Sequence, residues 1–257
     1  MGSRANHVIV GNDGVEVFYS HGGAVGLLDE LARGPDVVER FRAGQVVDEW
    51  LDDVWCEGAA LVDLVDRVLL HFTWHHDGVA DRARKLAAIR DAWPGWDVRW
   101  AYGGLEDVVA YLGVDRLTVR TEREEVETLN GPHEDFPQDA GCVITVRDAD
   151  GVLRGYSVHH QFGEPLWAGP RLLHLVEPLT PVSGRGPLSS DDPGPDLGVH
   201  VDVARREVGC WTGGTVKGSV EEVAEAWPGW RFEFWEDRHE EQARRCAGEF
   251  EVFPFPP

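Results

Sequence analysis

Ala92-Trp93-Pro94-Gly95-Trp96 occurs a second time in this chain, as Ala226-Trp227-Pro228-Gly229-Trp230. Each copy follows a run with apolar residues at helical spacing (Leu86, Ile89, Trp93; Val220, Val223, Trp227). Each precedes a short alternating run, Asp97-Val98-Arg99-Trp100 or Arg231-Phe232-Glu233-Phe234-Trp235. Five identical residues, two of them Trp, are not expected to recur in matching contexts by chance. The motif predicts a helix stop and a strand anchor. Trp93 ends the helix on its buried face, and Pro94 cannot extend the ladder because its N–H is missing and its ring clashes. Gly95 is free to take positive φ, and Trp96 pins the incoming strand to the core.

Working outward, the same register recurs along the chain. Asp13-Gly14-Val15 matches Asp150-Gly151-Val152, Tyr19-Ser20 matches Tyr156-Ser157, and Val62-Asp63 matches Val201-Asp202, all at separations of 134 to 139 residues. Hairpins are predicted around Asn12-Asp13-Gly14, Asp66-Arg67 and Asp148 to Gly151. Two short helices are predicted over 25–42, an acidic connector helix over 46–55, and helices over 79–93, 105–112 and 237–247. Closing strands are predicted at 116–120 and 248–253. The expected fold class is α+β: a tandem duplication of a ββ-α-ββ-α-β-α-β unit with largely antiparallel sheets in a pseudo-twofold arrangement. The expected boundaries are a first repeat at 1–121, a linker at 122–140 and a second repeat at 141–257. A Pro/Gly/Ser-rich insert at 178–198 replaces the acidic connector.

The 257 residues carry a formal net charge of −22, from 46 acidic and 24 basic residues. Such a field repels phosphate backbones and anionic membranes, so neither nucleic acid nor membrane is expected as a partner. It favours a basic protein or a divalent cation. Cys56, Cys142, Cys210 and Cys246 show no C-x-x-C spacing. The opening Met1-Gly2-Ser3-Arg4 has no apolar segment of the secretory kind, and no run is long enough to span a bilayer. A cytoplasmic location with reduced thiols is the resulting expectation. Of the basic residues only Lys85 and Lys217 are lysines, a bias that fits a GC-rich genome of the actinobacterial kind.

Candidate chemistry rests on histidine. His21 leaves the first hairpin beside Gly22-Gly23, and His159-His160 leave the second at nearly the same place, so these three are candidates for a general base in a cleft between repeats. His75-His76-Asp77, in the first repeat only, has the donor types of a divalent-metal site without a standard ligand spacing. No other cofactor is predicted. His133-Glu134-Asp135 and His239-Glu240-Glu241 are not H-E-x-x-H, and no G-x-S-x-G, G-x-G-x-x-G or Walker loop is present. Trp93, Pro94, Gly95, Trp96, Trp227, Pro228, Gly229 and Trp230 are read as structural.

Arg4-Ala5-Asn6-His7-Val8-Ile9-Val10, with Phe18-Tyr19-Ser20-His21 and Trp93-Pro94-Gly95-Trp96, resembles a group of uncharacterised actinobacterial proteins. The resemblance covers mainly the first repeat and implies no activity. The leading expectation is an acidic binding module, of immunity, antitoxin or scaffold type, that recognises a basic protein. Two alternatives stand beside it: a His-based, metal-assisted hydrolytic site between the repeats, and a small-molecule sensor with a Trp-lined pocket.

Overall fold

The computed structural model describes residues 3–47, 49–123, 125–131, 141–159, 163–182, 194–250 and 252. His160, most of the 122–140 stretch and the centre of the 178–198 insert lie outside the described residues. The chain forms two compact units: Met1–Arg123 with Gly214–Ser219, and Glu124–Gly213 with Val220–Pro257. Both are mixed α+β. Among the described residues there are two sheets, of six and five strands, and eight α-helices. No helix among them is long and apolar enough to cross a membrane.

In the first unit, β1 (Ala5–Gly11) and β2 (Gly14–Ser20) form the hairpin that the Asn-Asp-Gly turn predicts. Two short helices follow. α1 (Leu27–Leu31) buries Leu27, Leu28 and Leu31, and α2 (Val37–Arg42) buries Val37, Val38 and Phe41. The two-residue β3 (Gln45–Val46) pairs with the outer edge of β2. β4 (Gly58–Asp63) and β5 (Val68–Thr73) are buried along their whole length. That is why both read as apolar runs rather than as alternation, since strands covered on both faces have no polar side. α3 (Gly78–Ala92) carries the chain to β6 (Asp97–Trp100), and α4 (Leu105–Tyr111) follows. The strand order is β3-β2-β1-β4-β5-β6.

The second unit has the hairpin β7 (Cys142–Arg147) and β8 (Leu153–Val158), then the short helices α5 (Glu164–Trp167) and α6 (Leu172–Val176). β9 (Leu197–Asp202) and β10 (Glu207–Thr212) form a second hairpin. α7 (Val220–Glu225), β11 (Arg231–Phe234) and α8 (Glu240–Cys246) close the unit. Its strand order is β8-β7-β9-β10-β11, and its pairing senses match those of β2-β1-β4-β5-β6 one for one.

The Trp-Pro-Gly-Trp turns have the same local geometry. Trp93 is 1% exposed, and its indole N–H donates to the Leu31 carbonyl in α1 at 2.7 Å. Trp227 is also 1% exposed, and its indole N–H donates to the Leu166 carbonyl in α5 at 2.9 Å. Gly95 and Gly229 have φ of 77° and 80°. Trp96 meets Trp93 edge-on at 4.7 Å, and Trp230 meets Trp227 edge-on at 5.6 Å. Behind each turn a second glycine with positive φ, Gly34 or Gly169, faces the carbonyl of Ala92 or Ala226 so closely that a Cβ would collide with it.

Three expectations are corrected. The sheets are mixed rather than largely antiparallel, because β1–β4, β5–β6, β7–β9 and β10–β11 are parallel pairs. The pairs β5–β6 and β10–β11 are each joined by a crossover, through α3 or α7, which returns the chain in the same direction. β1–β4 and β7–β9 lie parallel because the chain returns from the hairpin partner β2 or β8 to the other side of the first strand. The described residues of 46–55 form no helix. Their amides are taken by side chains instead: Leu51 N–H by Asn6 Oδ1 at 3.0 Å, and Val54 and Trp55 N–H by Asp52 Oδ1 at 3.0 and 2.8 Å. Residues 116–120 are not a strand. Arg116–Thr118 is a 3-10 turn capped by the Asp115 carboxylate, which accepts the Leu117 N–H. Gly248, Glu249, Phe250 and Val252, the described residues of the closing segment 248–253, are not in a strand either.

Candidate functional site

The histidines singled out from sequence occupy different settings. His21 is exposed, with the Tyr19 hydroxyl 3.0 Å from its Nδ1. His159 is also exposed, and its backbone N–H donates to the Asn130 carbonyl at 2.9 Å. His21 lies in the first unit and His159 in the second. His75 Nε2 lies 2.8 Å from Glu57 Oε2. The His76 ring lies edge-on to Trp100 at 6.5 Å, and Asp77 is exposed at the start of α3. Among the described residues, no three His, Cys, Asp or Glu side chains gather so as to hold a metal ion.

Beside the first hairpin exit is a hollow of about 370 Å³, lined by His7, Tyr19, Ser20, Gly22 and Gly23 among others. Its deepest polar group is His7, 6% exposed, edge-on to Phe41 at 3.9 Å. His7 Nε2 is buried and makes no hydrogen bond among the described residues. Burial pulls the His7 pKa down to about 4, so the ring is neutral at pH 7. Gly23 is required here, because a Cβ would stand 2.7 Å from Ser20 Oγ and 2.8 Å from His7 Nε2. Sequence reasoning passed over His7 for His21. The one available signal was a histidine in the middle of an otherwise apolar strand.

The segment after β3 forms an acidic corner in which Glu49 is exposed, Asp52 is half-buried, and Asp53 and Glu57 already pair with Thr121 and His75. The Asp52 side chain turns the chain so that Val54 and Trp55 point outward, 39% and 54% exposed. The Arg4 guanidinium lies 4.3 Å from the centre of the Trp55 ring. Asp53 N–H donates to the Val119 carbonyl at 2.8 Å, which ties this corner to the turn that exposes Leu117 at 64%.

The second unit has a cleft of about 340 Å³ at the carboxyl ends of the parallel strands β7 and β9. Arg147, Arg205, Arg244 and Arg245 line it, together with Asp202, Glu207 and Glu241. His200 forms its floor and is 4% exposed. The Thr145 hydroxyl lies 3.0 Å from His200 Nδ1, and Gln242 Nε2 donates to the same hydroxyl at 3.0 Å. Burial first, and then the neighbouring Arg245 and Arg147 charges, hold the His200 pKa near about 4. His200 and the four arginines did not stand out in the sequence, because side chains as far apart as Arg147 and Arg245, 98 positions, carry no local pattern.

All four cysteines are buried and free. Burial pushes the Cys56 thiol up to about 12 and raises the other three, so none is poised as a nucleophile. No family model, curated protein or solved structure matches this chain.

Proposed function

We propose that the protein is an acidic binding module for a basic protein partner, built from two tandem copies of one α+β unit. The duplication reading is supported by the shared strand order and pairing senses, and by the repeated indole-to-leucine-carbonyl bonds. The observation that carries the binding reading is Trp55. A half-exposed indole on an acidic corner is a binding anchor rather than a packing residue, since Trp and Arg dominate interface energetics. It already holds one guanidinium, that of Arg4, against its ring, which is the contact a basic partner would make. The net charge of −22 adds long-range attraction for such a partner.

Affinity capture with the full chain at about 0.15 M salt is the test. Wild type is expected to retain proteins of basic pI, and Trp55→Ser is expected to lose them. No basic protein retained, or equal retention by both, overturns the reading.

The hollow beside His7 favours a second reading, in which this protein acts on or senses a small molecule. Under it the base is the buried, unpartnered His7 with Ser20 adjacent, rather than His21 or His159. The aromatic side chains at the hollow are Phe18, Tyr19 and Phe41 rather than Trp.

A further inference from the structure

The two units share the strand order and pairing senses of β2-β1-β4-β5-β6 and β8-β7-β9-β10-β11, so residues at matching rungs of these strands can be set side by side. At the third rung of the parallel pair β1–β4 from its carboxyl end, Val8 stands opposite Leu61; at the same rung of β7–β9, Thr145 stands opposite His200. At the last rung Val10 opposes Asp63 in the first sheet, and Arg147 opposes Asp202 in the second. Over this place α4 carries Ala110 and Tyr111, while α8 carries Arg245 and Cys246 at the same points of a seven-residue helix.

The crevice is closed in the first unit, where the Tyr111 hydroxyl reaches down and donates to Asp63 Oδ2 at 2.9 Å. It stays open in the second, where the cleft of about 340 Å³ lies over His200 and Asp202. Five apolar or aromatic side chains of one unit therefore correspond to Thr145, Arg147, His200, Arg245 and Cys246 in the other. Burying polar groups without full pairing opposes folding. Of the five, Arg147 is held by the Gly151 and Arg245 carbonyls and by Glu249, and Arg245 pairs with Glu233. His200 at the floor, which among the described residues bonds only the Thr145 hydroxyl, stands where the first unit has Leu61.

The cleft also retains unmet binding capacity. Arg245 Nη1 is buried with no hydrogen-bond partner among the described residues; its nearest carboxylate oxygen, on Glu241, is 3.8 Å away. Arg205 approaches Asp202 Oδ2 only to 3.8 Å. With Nδ1 taken by Thr145, the free edge of His200 is Nε2. The cleft lies at the carboxyl ends of the neighbouring parallel strands β7 and β9.

We propose that this cleft binds a small metabolite with an anionic head, phosphate or carboxylate, and hydroxyl or amino donors beside it. Arg205, Arg245 and His200 Nε2 receive the head. Asp202, whose Oδ1 accepts the Arg205 backbone N–H, and Glu207, which also pairs with Arg231 at 2.9 Å, accept from the donors. The inference does not depend on the acidic-corner reading, since the two sites use different residues in different units.

The test is titration calorimetry of the full chain with inorganic phosphate, ribose 5-phosphate and L-glutamate, each against sodium chloride at matched ionic strength. Binding by either phosphate compound assigns a phosphate head, and binding by glutamate a carboxylate head. Either is expected to be lost, by about tenfold or more in affinity, in Arg245→Ala and in the double variant Thr145→Val with His200→Leu. The double variant restores the apolar pair of the other sheet. It leaves Gln242 Nε2 its bonds to the Val143 and Val199 carbonyls at 3.2 and 2.9 Å, so it is expected to fold at least as stably as wild type. Absence of binding by all three probes, or binding that survives in the folded double variant, overturns the proposal.

Discussion

Trp93 and Trp227 show how one side chain can join distant parts of a unit. Each fills core space and also satisfies a helix-end carbonyl that water cannot reach, Leu31 or Leu166. Trp93→Phe keeps most of the apolar area but orphans the Leu31 carbonyl, at a cost of about 1–3 kcal/mol. Trp93→Ala removes the ring as well, and about 3–5 kcal/mol is expected. Urea unfolding of the two variants should give that order, and equal losses would show that the indole N–H contributes nothing. The motif was legible as structural from its two Trp residues and its proline. Its partner was not, because Leu31 lies 62 residues earlier and donates nothing to local pattern.

At the scale of elements, the regular segments were the readable ones. β1, β2, β4, β5 and α3 are announced by glycine turns and by apolar residues at fixed spacing, signals that survive in any context. Residues 46–55 show the converse. Their helical spacing is real, but Asn6 and Asp52 bind the amides that a helix would have used, so tertiary contacts override propensity. The glycines behind the two Trp turns belong to this scale too. Gly169 has φ 59°, and a Cβ there would overlap the Ala226 carbonyl; at Gly34, with φ 87°, the gap to Ala92 O would be 2.9 Å. Gly169→Ala is therefore expected to destabilise its unit by about 2 kcal/mol or more, since strain and backbone overlap combine. Gly34→Ala should cost less. Denaturation midpoints of the two variants decide this, and an insensitive Gly169→Ala would mean that the α5 corner shifts freely.

For the whole molecule, three buried histidines contribute to the acid limb of stability above the carboxylate range. His7 and His200 have pKa values lowered to about 4 and His71 to about 3, each chiefly by burial. Unfolded, each titrates near about 6.5. The unfolded chain therefore binds more protons than the native one below that pH, and stability falls as pH drops from about 6.5 towards about 4. The loss levels off only below the native values. Each histidine contributes a slope of about 1.4 kcal/mol per pH unit in the middle of that window. Removing one group should flatten the curve, so His200→Leu is expected to lose close to one such increment between about pH 6 and 4.5. Denaturant unfolding across pH 7.5 to 4.5 measures it, and parallel curves for wild type and variant would show that His200 is not held neutral. Relief of acidic self-repulsion acts on both proteins alike and cancels in the difference.

The sequence by itself determined the Trp-Pro-Gly-Trp turns, most helices and hairpins, and the spacing that sets one half of the chain against the other. These rest on local physics: proline's missing N–H, glycine's open φ, and apolar periodicity. Only the tertiary structure decided which strands lie parallel, where the chain leaves helical spacing unused, and which polar residues meet. Parallel pairing depends on how a crossover packs, and the cleft of Arg147, His200, Arg205 and Arg245 depends on strands and a helix brought together from positions up to 98 residues apart. Side chains that far apart acquire a common chemistry only when the backbone closes around them.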